Sequence, residues 1–508
     1  MANASDVANR VPITIALMLA TVMNSLDTTI ANVALPHIQG SLSAAPDQIT
    51  WVLTSYLIAT AIMTPLSGWL SVRFGRKLLF MISIGGFTVA SMLCGVATSL
   101  PEIVLFRLLQ GLFGASLIPL SQAVILDLYP PRQLGQVMAL WGAAAILGPI
   151  FGPFLGGWFT DNLTWRWVFY INLPVGILAL TGVALFMSSD RSLAARPFDF
   201  IGFGALTIFV GAFQLVIDRG PSQDWLSSSE IWIETIVGVI GLYLFVVQTL
   251  TAKHPFFHRA LALDRNFVSC TVFGFFIGIL LFSTMALLPP MMQEFMGYSA
   301  LQSGIASMPR GLGSFVAMFL VGRLIGRVDT RIILFAGLSV STLALWQMSR
   351  FDLSMSVRPI IISGIVQGFG IGLIFVPLST LAFATLPPQH RPEATGVYNL
   401  VRNLGSSVGI SMMQAIWTTN SSVAHADMTA HIQSDSPVVR SGLPPLLDPS
   451  TGFGIEALNG EITRQAAMIA YIDDFKLMML VTLGVMPLLL FMRTPAMAPP
   501  DRTHVVVD

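Results

Sequence analysis

Apolar and polar positions along this chain separate into long blocks, without the short periods of a soluble protein. Apolar runs of about 20 residues lie near 12–35, 51–71, 78–98, 102–126, 135–158, 166–187, 199–218, 231–250, 267–290, 301–325, 331–349, 358–384, 394–417 and 472–493. Each is long enough to cross the roughly 30 Å of hydrocarbon in a bilayer as an α-helix. The pattern therefore predicts an all-α integral membrane protein with fourteen transmembrane helices. The first run is too long for a signal-peptide core and no small-residue cleavage site follows it, so it reads as a retained helix.

Composition strengthens this reading. Hydrophobic residues make up 54% of the 508 residues and charged residues 10%, against roughly 25% charged in soluble domains. The formal net charge is zero, so no basic footprint points to nucleic acid. Cys94 and Cys270 both fall in apolar runs and read as small buried residues. With the N-terminus in the cytoplasm, sixteen Lys and Arg fall inside, Arg191, Arg196, Arg493 and Arg502 among them, against seven outside. That excess predicts cytoplasmic termini and an even helix count.

The chain also repeats itself weakly. "GWLSVRFGRK" (68–77) is echoed by "GRLIGRVDTR" (322–331). Gln110-Gly111, Pro119-Leu120-Ser121 and Pro130-Pro131 are echoed by Gln367-Gly368, Pro377-Leu378-Ser379 and Pro387-Pro388. The echoes fall into register if the spans at 199–218 and 231–250 are set aside. The expected plan is a six-helix half over 1–187, two inserted helices with linkers over 188–266, a second six-helix half over 267–493, and a cytoplasmic tail over 494–508. Parallel six-helix repeats place a substrate site between the halves, near the midplane. Residues 418–470, with Pro444, Pro445 and Pro449, form the longest polar interval. They read as a periplasmic loop, either plainly solvated or a docking surface.

Polar residues inside spans are costly in hydrocarbon, about 2.5–3.5 kcal/mol for a central charge, and so mark function. Four helices carry polar faces at helical spacing: Asn24, Asp27 and Thr28; Arg107 and Gln110; Ser307, Arg310 and Ser314; Asn399, Arg402, Asn403 and Ser406. Asp27 reads as the only acidic residue well inside a span. Burial favours its neutral form and a nearby cation its anion, so it suits a proton carrier; a structural ion pair with an arginine is the alternative, and Arg107 shares that ambiguity. No phosphate-binding loop is present, which argues against ATP as the energy source. His254 and His258 stand four apart in "HPFFH", but no third ligand accompanies them, so no metal is expected.

The motifs resemble those of the 14-helix drug:proton antiporters of the major facilitator superfamily, of the EmrB type. "LDTTIANVALP" (26–36), "GWLSVRFGRK" (68–77), "RLLQGLFGASLIP" (107–119), "GPIFGPFLGG" (148–157), "WRWVFYINLPVG" (165–176) and "AYIDDFKLMMLV" (470–481) carry the match across nearly the whole chain. The resemblance implies proton-coupled efflux of hydrophobic or amphipathic drugs across a bacterial inner membrane. It implies no cofactor beyond the proton gradient, and partnership with an EmrA-like periplasmic adaptor and a TolC-like outer-membrane channel. It assigns proton coupling to Asp27 and Arg107. Substrate-cavity candidates are Asn24, Thr28, Gln110, Arg310, Asn399, Arg402 and Asn403. Gly148, Pro149, Gly152, Pro153, Gly156 and Gly157 form the antiporter motif, which the resemblance places where the two halves meet near the outer side. Gly68, Arg73, Gly75, Arg76 and Lys77 belong to the cytoplasmic gate. Val72 stands where the gate motif commonly has an acid, so Arg73 or Arg76 is expected to pair with Asp127 instead. Export of one endogenous metabolite or siderophore, import, or a membrane enzyme or sensor are the competing readings.

Overall fold

The computed structural model describes residues 6, 8–44, 48–49, 51–189, 197–223, 225–387, 390–431, 447 and 451–492. Arg191, Arg196, Arg493, Arg502, Pro444, Pro445, Pro449 and the 494–508 tail lie outside them. No sheet forms among the described residues, which hold one isolated bridge, Ile325 to Val328.

The first six expected spans are built from α1 (Arg10–Leu42), α2 (Trp51–Met63), α3 (Leu66–Phe74), α4 (Arg76–Val96), α5 (Leu100–Gly114), α6 (Leu117–Leu128), α7 (Pro131–Asn162), α8 (Trp167–Tyr170) and α9 (Asn172–Phe186). The span expected at 51–71 is broken: α2 and α3 meet at Pro65 with a 58° bend. Gly75, at φ +86°, turns α3 into α4, a conformation open to glycine at little cost.

The next two spans are α10 (Phe200–Arg219) and α11 (Ser229–Thr251). Asp199 caps α10 by accepting from the Gly202 N–H at 2.9 Å, and also accepts from Gln248 of α11 at 2.9 Å. One side chain thus ties the pair together at one end. α10 packs on α2 and α18, whereas α11 touches little beyond α10. Ile240, Tyr243 and Leu250 of α11 are consequently exposed, an apolar surface suited to lipid.

The remaining helices are α12 (Arg259–Leu263), α13 (Arg265–Pro290), α14 (Ala300–Ser307), α15 (Pro309–Leu324), α16 (Thr330–Met348), α17 (Val357–Ala384), α18 (Arg391–His431) and α19 (Gly452–Val485). Asp264 caps α13, and Ser299 with Gln302 forms a capping box on α14, so both starts are written locally. In the first bundle α1 packs on α7 and α9, and α5 on α2 and α4; in the second α13 packs on α18, and α17 on α15 and α16. The bundles meet where α7 touches α14 and α15, and where α18 touches α3 and α6.

Eleven described helices are long and apolar enough to cross a membrane, or twelve when the bent pair α2–α3 counts as one. The last two expected spans lie within α18 and α19, which are too polar to join that group. The reading of 418–470 as a loop is corrected at 418–431 and 452–470, which are helical, while 432–446 and 448–450 lie outside the described residues. α18 continues to His431 and α19 starts at Gly452, so both helices run on past the apolar stretch. Trp417 Nε1 donates to Ala467 O at 3.3 Å, and His425 lies 3.0 Å from Asn459. The polar side chains there decorate a helix pair whose backbone groups are already satisfied.

Candidate functional site

Asp27 sits at the centre of the first bundle with no exposed surface. Three donors from two other helices converge on it. Arg107 Nη1 of α5 reaches Oδ2 at 2.6 Å, Gln110 Nε2 of α5 reaches Oδ1 at 2.8 Å, and Asn172 Nδ2 of α9 reaches Oδ1 at 2.9 Å. Arg107 is itself held by Gln110 Oε1 at 2.8 Å and Val52 O of α2 at 3.1 Å. Its guanidinium stacks 4.4 Å from the Tyr56 ring centroid, where a cation gains from the ring face. Asn24, one turn before Asp27, donates to Tyr56 Oη at 3.1 Å and Gly114 O at 3.2 Å. A buried charge is tolerable only when paired and hydrogen-bonded, and this one is both.

The structure thus brings together Asp27, Arg107, Gln110 and Asn24. Thr28 stays outside, spending its hydroxyl on Ser25 O at 2.8 Å. Asn172 was absent from the expected set, although "YINLP" places an amide at the head of an apolar helix, which is a readable signal. Asp27 is also not alone. Asp474 is fully buried well inside α19, and neither of its oxygens has a partner among the described residues. The run at 472–493 placed Asp474 at a helix end, but the helix starts twenty residues earlier.

In the second bundle, Asn399 donates to Gln122 of α6 at 3.1 Å, bridging the bundles. Arg402 lies 5.6 Å from the Phe375 ring centroid and 3.5 Å from Asn403 Oδ1. Arg310 does not approach them through any hydrogen bond; it donates to Thr284 of α13.

Gly148, Gly152 and Gly156 face α1, against Ser25, Thr29 and Ile30. The glycine face packs inside the first bundle, and other residues of the same motif make the contact across to the second. Pro153 and Phe154 meet Gly304, and Ile150 meets Gly311. The cause is the prolines. Pro149 leaves the Ala145 carbonyl without its helical donor, and Ser25 Oγ donates to that carbonyl. Thr29 Oγ1 donates to Gly148 O at 3.0 Å. Small residues allow the approach that these hydroxyl bonds need. Gly157 is buried one residue on, and its carbonyl accepts from Thr160 at 3.0 Å.

At one end of the bundles Asp127 accepts from Arg76 at 2.6 Å and from Arg391 at 3.0 Å. Arg76 takes the pairing, and Arg73 is exposed. Arg391, at the head of α18, is one of the sixteen Lys and Arg that the sequence counts inside, with no other role expected of it. Its place just after the echoed Pro387-Pro388 was the available signal. Gly68 lies so close to Pro392 and Glu393 that a Cβ there would sit 2.8 Å from Glu393 Cα. Lys77 turns away to Ala184 O at 2.7 Å. His258 stacks on His390, 4.4 Å between centroids, and no group of three or more metal-ligating side chains occurs among the described residues.

Two helical bundles joined by a polar seam, with a buried charged network in one of them, define a membrane transporter. The Major Facilitator Superfamily model matches residues 17–410. The multidrug export protein EmrB of Haemophilus influenzae is 35% identical over 494 residues, spanning 95% of this chain and 96% of that protein. EmrB of Escherichia coli K12 is 35% identical, spanning 96% of each. The fatty acid resistance protein FarB of Neisseria gonorrhoeae is 34% identical, spanning 91% of this chain and 92% of its own. The human organic anion transporter MFSD10 (TETRAN) shares the fold, with a TM-score of 0.58, 15% identity, and coverage of 93% of this chain and 99% of that one. The chain belongs to the major facilitator superfamily, and within it to the EmrB-type drug transporters.

Proposed function

We propose that this chain exports hydrophobic and amphipathic compounds across the bacterial inner membrane in exchange for protons, with both termini in the cytoplasm. The observation that carries this reading is the Asp27 network. Its three N–H donors suit the carboxylate anion, and protonation removes the charge that holds Arg107. A guanidinium buried without its counter-charge is costly, so proton binding changes which arrangement of the bundles is preferred. Energy from the gradient thereby enters the conformational cycle. The printed names of the EmrB and FarB relatives support an export role.

An EmrA-like adaptor and a TolC-like channel belong to the same proposal. The outward extensions of α18 and α19, beyond the Trp417–Tyr471–Phe295 aromatic cluster, are the surface offered to the adaptor. The test is dye transport by the purified protein in proteoliposomes with an imposed pH gradient. Transport that follows the gradient and moves protons the opposite way is expected. Transport indifferent to the gradient, with no proton flux, rejects the proposal.

A further inference from the structure

The two bundles carry the same construction with one exchange. Gln110 of α5 donates to Asp27, 83 residues away, at 2.8 Å. Gln367 of α17 donates through Nε2 to Thr284 Oγ1, also 83 residues away, at 3.1 Å. Thr284 therefore occupies in the second bundle the place that Asp27 has in the first. The glycine after each glutamine confirms the register: Gly111 packs against the Tyr56 carbonyl of α2, and Gly368 against the Arg310 carbonyl of α15. In the first bundle the cation comes from Arg107, three residues before the glutamine. In the second, Gly364 holds that position, and Arg310 reaches over it from α15 to donate to Thr284.

The second bundle thus keeps the glutamine and the guanidinium but has a hydroxyl where the first has a carboxylate. Arg107 is neutralised by Asp27. Arg310 has no carboxylate partner and, among the described residues, only the one hydrogen bond, out of five N–H groups on a guanidinium. Asp474 is the only fully buried acid described in this bundle, and it lies on α19, which does not pack on α15. Thr284 is fully buried, Gln367 nearly so with Oε1 unpartnered, and Arg310 is partly exposed.

The geometry points to an anion site at the Arg310 guanidinium, oriented by Thr284, that takes the carboxylate of an amphipathic organic acid, the substrate supplying the charge that Asp27 supplies in the first bundle. A guanidinium fork favours a carboxylate over a neutral ester, and the apolar helices around it suit a hydrocarbon tail. This deepens the export reading and rests on it.

The test is binding to the full-length protein in detergent without any gradient. The probes are dansyl-aminoundecanoic acid and its methyl ester, read by dansyl fluorescence. The parent should bind the acid about tenfold tighter than the ester. Arg310→Gln should erase that preference. Thr284→Asp, which completes the second bundle internally, should do the same. Thermal melting checks folding, and Arg310→Gln decides alone if Thr284→Asp melts early. Equal affinity for acid and ester in the parent, or a preference that survives Arg310→Gln, overturns the site. Proton-coupled export of a neutral dye is measured separately, so loss of the anion site leaves the export proposal standing.

Discussion

Asp27 and Asp127 each bind arginine, yet their arginines come from different places. Asp27 takes every donor from its own bundle, and neither it nor Arg107 has more than 1% of its side chain exposed. Asp127 is held between Arg76 of its own bundle and Arg391 of the other, with the two arginines 20–21% exposed. When the bundles separate at the Asp127 end, the Asp127 cluster must open, while the Asp27 cluster can stay assembled. Under the proposed mechanism one aspartate changes charge and the other changes partners. The same ion pair can therefore serve as a coupling group or as a latch, depending on whether the cation rides on the same rigid body.

The contrast can be broken at either end. The largest effect is expected from Asp27→Asn, which keeps shape but cannot ionise: gradient-driven efflux should fall to background in proteoliposomes. Asp127→Asn should instead retain the proton-to-drug ratio, measured by parallel pH and dye traces. Equal loss of coupling in both would erase the distinction. Next, Gly152→Leu should separate α7 from α1, and an efflux assay run beside a proton-leak assay should show lost or leaky exchange. Normal values in both would mean the glycine face tolerates bulk. Arg107→Ala should destabilise by about 3–5 kcal/mol, the usual result of stranding a buried charge. Arg107→Lys keeps the charge but loses the fork and should fold while transporting poorly. The smallest effect is expected from Arg391→Gln. A partly exposed pair is worth about 1 kcal/mol at most, so labelling of an engineered cysteine at the polar seam should rise roughly fivefold, with efflux slowed but still coupled.

Much of this was legible in the sequence, and the omissions share a cause. Asp27, Arg107 and Gln110 stood out because charge and amide groups are expensive in an apolar run, and their spacing put them on one helix face. Thr284 passed unnoticed because a hydroxyl can satisfy itself on its own helix, as Thr284 does with Leu280 O at 3.1 Å. Arg391 was hidden by its address, since arginine at a cytoplasmic end is expected on any membrane protein. Asp474 and the outward helices were misread because polarity was taken as the end of a helix. Once helices leave the bilayer they can keep their backbone bonds and face water. The family's outer-side motif was found at once from its glycines and prolines, but not which neighbour those glycines face. That depended on Ser25 and Thr29, two ordinary residues of α1 that pattern alone does not single out.

The hydroxyl bonds from α1 to the kinked helix have a mechanical consequence. Ser25 and Thr29 lie two residues either side of Asp27 and hold carbonyls on α7 just before Pro149. Sliding α1 along α7 would strand the Ala145 carbonyl, at about 1–3 kcal/mol for a buried polar group left unsatisfied. The two helices are thus pinned like the leaves of a hinge, with the carboxylate between the pins. The next turn of α7, at Pro153 and Phe154, bears on α14 of the opposite bundle. A tilt of that bundle reaches the aspartate through a short, stiff arm, and the arm's stiffness limits how far the bundles can part near Pro153 without disturbing the Asp27 network.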